Sequence, residues 1–346
     1  MRFDKAKIKK ILLIKFGGIG DVVCFIPVLP NLRNSFPDAE ITVLIEEKSE
    51  DLISGNPYIN DFLVFNRNEK KHQRLYKEIK NRKFNAVFDF FGTPRTAYIS
   101  FISRARYRIG FNFRIRKYAY NIKAEGYSSK IHNLDFNLRL LEAINVPIFT
   151  KEISIDTSKV QQHLADSWFE SNKLNSGTNI GIIVCGGWDS KTYKQDDYVE
   201  LLRLIETRYL VNFVLFWGSK KEKSKCEFIK SNLGKNCYIA PDLNLKSLVE
   251  FYKHCTAFIG SDSGPLHLAV TSKKPVLGIF GPVNPMLQGP YGKQNEYVYF
   301  NGLDCLFCNL LECPIGNKCL KDLPKNTIVK SFEAMMKKNN ITLNTR

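Results

Sequence analysis

Short apolar runs recur along this chain, each leading into a helical pattern or a turn. In the first half KKILLIKF reads as a strand, DVVCFIPVLPNLRNSF as a helix and AEITVLIEE as a second strand. INDFLVF, a charged helical segment and NAVFDFFG continue the series. Around residues 150–178 the composition turns polar, with a helical linker over roughly 160–173 that ends in NSGTN. The alternation then restarts with NIGIIVCGG, YVELLRLIETRY, LVNFVLFWGS, a lysine-rich helix, NCYIAP, LKSLVEFYKHC, TAFIGSDSG, a helix and PVLGIFG. Strands that alternate with helices argue for parallel, doubly wound α/β sheets. At 346 residues the chain suits two such domains, 1–160 and 161–346. No repeat of fixed period is visible, so the halves share architecture only. Two doubly wound domains facing each other leave a cleft, with ligands expected at the carboxyl ends of the strands.

Three of these runs end in glycine turns. In ILLIKFGGIGDVV, Gly17, Gly18 and Gly20 stand between a strand and a helix and are followed at once by Asp21. Such a turn permits positive φ, lets a ligand approach the backbone and exposes the helix N-terminus. A dinucleotide site of the G-x-G-x-x-G type is one reading, since Glu46 and Glu47 close the second strand where its acidic residue belongs. However, Val23 stands in the place of the third glycine, and a carboxylate at Asp21 repels a pyrophosphate on the same helix end. Asp21 suits a general base facing an acceptor hydroxyl better, and the structural alternative is a helix-capping aspartate.

The second turn, Gly260-Ser261-Asp262-Ser263-Gly264-Pro265-Leu266-His267, follows the strand TAFI. Pro265 suits a first helical turn, and Ser263 and Gly264 then offer backbone donors to an anion. His267 is a candidate phosphate donor or a packed core histidine. In the third turn, CGGWDSKTY, Gly186 and Gly187 allow close approach and Lys191 supplies a point charge for phosphate. Beyond FWGSKKE, Glu222 could accept from ribose hydroxyls or could simply begin a helix.

The net charge of +17 implies an acidic partner: nucleic acid, an anionic membrane surface or a phosphorylated substrate. Residues 104–130 hold eight Lys or Arg and one acidic residue, with tyrosine and phenylalanine interleaved. This patch suits nucleic acid or an anionic glycolipid, or it is a solvated face. Arg2, Lys5, Lys7, Lys9 and Lys10 before an apolar run imitate a signal peptide. Lys15 and Asp21 interrupt that run and no small-residue cleavage site follows it cleanly, so the expectation is a cytoplasmic start. No apolar stretch approaches the roughly 18 to 20 residues of a transmembrane helix, so any membrane contact is expected to be peripheral. Of nine cysteines, Cys24, Cys185, Cys226, Cys237 and Cys255 are scattered through apparent secondary structure, as in a reduced compartment. The others, Cys305, Cys308, Cys313 and Cys319, are spaced C-x2-C-x4-C-x5-C. They could hold a structural zinc or iron, or stand as reduced thiols or a disulfide.

Together, ILLIKFGGIGDVV, PDAEITVLIE, GGWDSK, FWGSKKE, IGSDSGPLHLAVTSKKPVLGIFGP and CLFCNLLECPIGNKC resemble glycosyltransferase family 9, the ADP-heptose:lipopolysaccharide heptosyltransferases. The resemblance covers nearly the whole chain. It implies a GT-B fold, two Rossmann-like domains, with the acceptor bound by the first and the nucleotide sugar mainly by the second. It also implies inverting transfer without a catalytic metal or other cofactor, a lipid-linked glycan acceptor and no nucleic-acid partner. By position, Asp21 matches the catalytic aspartate and Lys191 a diphosphate-contacting lysine. Glu222 matches the ribose contact, and Asp262, Ser263, Gly264 and His267 the donor segment. Gly186 and Gly187 stand where some heptosyltransferases carry threonines, and the arginine-rich region follows no family pattern. An NAD-dependent oxidoreductase and a basic, metal-clustered nucleic-acid-binding protein are the competing readings.

Overall fold

The computed structural model describes residues 3–69, 71–126 and 130–346; Arg2 of the basic N-terminus and residues 127–129 of the basic stretch lie outside them. The chain divides into two compact units, Met1–Asp156 and Thr157–Arg346.

The first unit runs β1 (Lys10–Lys15), α1 (Ile19–Val23), α2 (Val28–Ser35), β2 (Glu40–Glu46), β3 (Asp61–Phe65), α3 (Gln73–Asn81) and β4 (Ala86–Asp89). α4 (Pro94–Ile102), β5 (Tyr107–Phe111), β6 (Ile122–Ala124) and α5 (Asn133–Glu142) complete it. Its six strands are all parallel, in the order β3-β2-β1-β4-β5-β6. In β1, Ile11 to Ile14 are wholly buried, as a parallel strand covered on both faces requires. Leu13 pairs with Val43 on one side and Phe88 on the other.

The segment DVVCFIPVLPNLRNSF is two helices rather than one. Pro27 lacks the N–H that would continue α1 and disfavours the helical conformation in the residue before it, so a turn over 24–27 separates α1 from α2. The arginine-rich stretch also folds into the sheet, as β5 and β6 joined by a 3-10 turn over Arg114–Ala119. Its buried Tyr107 and Ile109 alternate with arginines. Arg108 is half-buried and donates to the carbonyls of Ala119 and Ala105.

The second unit runs α6 (Lys159–Ser171), β7 (Thr178–Ile183), α7 (Gln195–Glu206), β8 (Val211–Phe216), α8 (Lys220–Leu233), β9 (Cys237–Ile239) and α9 (Leu245–Lys253). β10 (Ala257–Ser261), α10 (Gly264–Ala269), β11 (Val276–Phe280), α11 (Pro285–Gln288), β12 (Glu296–Tyr299), α12 (Lys318–Lys321) and α13 (Lys325–Lys338) follow. Its sheet is again six-stranded and parallel, β12-β11-β10-β7-β8-β9. The segment read as a linker is α6, whose buried Phe169 packs on Phe251 of α9, with ring centroids 5.8 Å apart. That contact places the helix in the second unit.

Both sheets therefore have one strand order, with its reversal between β1 and β4 in the first and between β7 and β10 in the second. Chain connections diverge at such a switch point and leave a crevice beyond the strand ends. Among the described residues, no helix is long and apolar enough to cross a membrane.

Candidate functional site

At the first switch point, β1 ends in the glycine turn. Gly17 has φ +114°, and a Cβ there would lie 2.6 Å from Asp21 Oδ2 and 2.8 Å from Asp21 Cβ. Glycine is required on both counts. Gly18 is the N-cap of α1, and its N–H donates to Asp21 Oδ2 at 2.8 Å. The backbone donor that a pyrophosphate would need in a dinucleotide site is thus engaged by the carboxylate. Glu46, one of the two acidic residues of that reading, is also engaged, by Arg67 Nη2 and Nε, both at 2.6 Å, while Glu47 is exposed.

The other Asp21 oxygen, Oδ1, lies 3.4 Å from Asn133 Nδ2, at the start of α5. Asn137, one turn on, donates to the carbonyls of Asn133 and Cys24 and accepts from Lys15 Nζ at 3.1 Å. Lys15 is buried. Burial pushes its pKa down, against the opposing charges of Asp21, Cys24 and Asp89. Asp89, at the end of β4, is wholly buried, and burial pushes its carboxyl up. It accepts from the N–H groups of Phe91 and Gly92 and from Tyr120 OH at 2.6 Å. Asp89 thereby fastens the basic stretch to the loop after β4. Spacing alone did not single out Lys15, Asn133 or Asn137; the one signal is a lysine ending an otherwise apolar strand.

The second switch point brings together three residues singled out from sequence. Lys191 lies in a single 3-10 turn, Asp189–Lys191, and its Nζ is 2.7 Å from Asp262 Oδ2 and 4.0 Å from the centroid of the Trp188 ring. His267 Nε2 is 3.8 Å from Asp262 Oδ1. All three are buried. Burial alone would push the Asp262 carboxyl up, but His267 and Lys191 beside it hold it below its ordinary range. Ser261 fastens the turn from beneath: its Oγ accepts from Tyr193 N at 3.1 Å and is 3.1 Å from Tyr198 OH.

The remaining donor-side candidates divide by role. A Cβ on Gly186 would lie 2.1 Å from Thr192 Oγ1 and 2.9 Å from Thr192 Cα, so this glycine is needed for packing. Gly187 has only Lys191 Cδ near, at 4.0 Å, and leaves open space. Ser263 caps α10 through Leu266 N, with Gly264 and Pro265 in the first turn. Glu222 lies in the first turn of α8, where its Oε2 accepts from Gly218 N at 2.9 Å.

Cys305, Cys308, Cys313 and Cys319 line one small cavity beside Ser190 and Gly281. Cys305 and Cys308 are exposed. Among the described residues, no group of three His, Cys, Asp or Glu side chains is placed to hold a metal ion, which leaves the zinc or iron expected from the cysteine spacing without support.

Residues 72–318 match the family model for glycosyltransferase family 9 (heptosyltransferase). The chain is similar to lipopolysaccharide heptosyltransferase 1 of Campylobacter coli, 29% identical over 294 residues, covering 79% of this chain and 84% of that protein. Its fold is similar to the family 9 glycosyl transferase of Veillonella parvula, with TM-score 0.80 and 19% identity over 95% of this chain and 97% of the other. It is also similar to ADP-heptose heptosyltransferase II of E. coli, with TM-score 0.75 and 17% identity over 96% and 99%. These likenesses identify the two Rossmann-like units as a GT-B fold. With the family model spanning more than half its residues, the chain belongs to glycosyltransferase family 9 and is a glycosyltransferase.

Proposed function

We propose that this enzyme transfers heptose from ADP-heptose to a hydroxyl of a lipopolysaccharide-core acceptor, with inversion and without a catalytic metal. The observation that carries the reading is the fixed carboxylate of Asp21 at one switch point together with the Lys191–Asp262–His267 cluster at the other. Asp21 takes the proton of the acceptor hydroxyl as its oxygen attacks the anomeric carbon. The bond from that carbon to the diphosphate breaks, and the nucleoside diphosphate leaves with the electron pair. Lys191, with the amides near Ser263 and Gly264, meets the charge that develops on the leaving phosphate. Glu222 contacts the ribose. The first unit takes the acceptor and the second the nucleotide sugar.

Calorimetric titration with ADP, GDP, UDP and NAD tests the donor half. ADP is expected to bind selectively, and binding is expected to weaken in Lys191→Ala. Binding of NAD alone, or of none of the four, contradicts the reading.

The enzyme works in the cytoplasm, peripherally at the inner face of the membrane. Phe101 near the end of α4 is 61% exposed, with Arg104 just beyond the helix, and Ile115 and Tyr118, 82% and 74% exposed, share the 3-10 turn with Arg114 and Lys117. Exposed apolar side chains beside cations suit an anionic bilayer. Co-sedimentation is expected with anionic vesicles and not with neutral ones; equal partition into both rejects this placement.

A further inference from the structure

The cysteine-bearing segment has no place in the transfer chemistry, yet its connections run to the donor side. The turn that carries Lys191 is three residues long and closes with single backbone bonds, Lys191 N to Trp188 O and Thr192 N to Asp189 O. A turn that short does not hold itself. On one side Ser261 holds Tyr193, two residues beyond it, and on the other residues 303–319 hold the turn itself. Ser190 Oγ donates to Leu310 O at 2.6 Å, and Asn317 Nδ2 donates to Asp189 O at 3.3 Å. The same segment is tied to the end of β11, with Asn309 N donating to Pro282 O at 2.9 Å. A Cβ on Gly281 would lie 3.0 Å from Cys319 Sγ, so the Cys319 side chain packs closely on the Gly281 backbone.

We infer that the cysteine-bearing segment is a positioning element for nucleoside diphosphate binding: it clamps the 188–191 turn through Ser190 and Asn317 and so sets where Lys191 stands. This rests on the donor-site reading of Lys191. Because the clamp and the ligand act on one turn, the coupling is reciprocal, and a bound nucleotide tightens the segment in return.

The test uses the full chain with ADP as the probe. Ser190→Ala removes one tether. Asn317→Gly removes the other without strain, because Asn317 has φ +56°. Two lost hydrogen bonds are expected to raise the ADP Kd about tenfold in the double variant. Ser190→Thr, which keeps the hydroxyl, is expected to retain wild-type affinity. Wild-type affinity in the double variant overturns the inference. If wild-type protein binds ADP and Lys191→Ala weakens it, that failure belongs to the clamp alone. If wild-type protein does not bind ADP, the donor reading falls, and this inference with it.

A second readout does not depend on the variants folding well. Cys319 is half-buried and its thiol packs against Gly281, so its alkylation reports how far the segment opens. Saturating ADP is expected to slow iodoacetamide labelling of Cys319 severalfold in the wild type. Labelling indifferent to bound ADP contradicts the coupling.

Discussion

Asp21→Asn is expected to lower kcat for sugar transfer by about 10² to 10⁴, while ADP affinity stays within about twofold. The amide is isosteric and can still accept from Gly18 N–H through its oxygen, so the glycine turn and α1 keep their form. On the proposed mechanism, what the variant loses is the oxygen that takes up the acceptor proton. The proposed mechanism makes the helix cap and the base one group: Gly18 N–H occupies Oδ2, and Oδ1 is left with the weak contact to Asn133. A residue that served only as a cap would give a different pattern, with reduced thermal stability and a kcat within a few fold of wild type. Steady-state kinetics at saturating donor, alongside calorimetry with ADP, separates the two.

Lys191→Met is expected to weaken ADP binding strongly and to destabilise the fold by about 3 kcal/mol at neutral pH. The reason is Asp262. It is buried, and removal of its cation leaves a charge whose one ionisable neighbour among the described residues is the His267 imidazole, 3.8 Å away. In the wild type the Asp262 carboxyl is held below its ordinary range, so its contribution is complete above the unfolded carboxylate pKa. It is lost as pH falls through the native value. In the variant the carboxyl keeps His267 but loses Lys191, so its pKa rises relative to the wild type and protonation relieves part of the penalty. The stability gap between wild type and variant therefore narrows as pH falls. Urea unfolding at pH 7 and pH 4.5 checks the sign. A gap that widens in acid shows that the pair does not control Asp262.

The alternation of apolar runs and helical patterns was enough to read two parallel, doubly wound sheets, because strands buried on both faces leave a plain hydrophobic signature. Two local errors have physical causes. Pro27 breaks a segment whose apolar spacing otherwise suits one helix. In β5, Arg108 interrupts the buried residues, and in the short β6, Lys123 does the same; the pattern is hidden because Arg108 satisfies its guanidinium on backbone carbonyls that no sequence rule reveals.

The glycine turns were legible, but the division of labour within them was not. Gly17 and Gly186 are fixed by near contacts with Asp21 and Thr192, whereas Gly187 faces open space. The meeting of Lys191 with Asp262 depends on β7 and β10 being neighbours, a long-range fact that follows only from the strand order. The Lys15–Asn137–Asn133 relay behind Asp21 joins residues more than a hundred positions apart and has no local signature.

Mass spectrometry of a heptose-deficient lipopolysaccharide-core acceptor, after incubation with ADP-heptose and either wild-type or Asp21→Asn enzyme, tests the central claim most directly. The expected result is addition of one heptose and release of ADP with the wild type, and neither with the variant. Transfer at equal rates by both enzymes would contradict Asp21 as the base, and an acceptor left unmodified by the wild type would contradict the proposed heptosyl transfer.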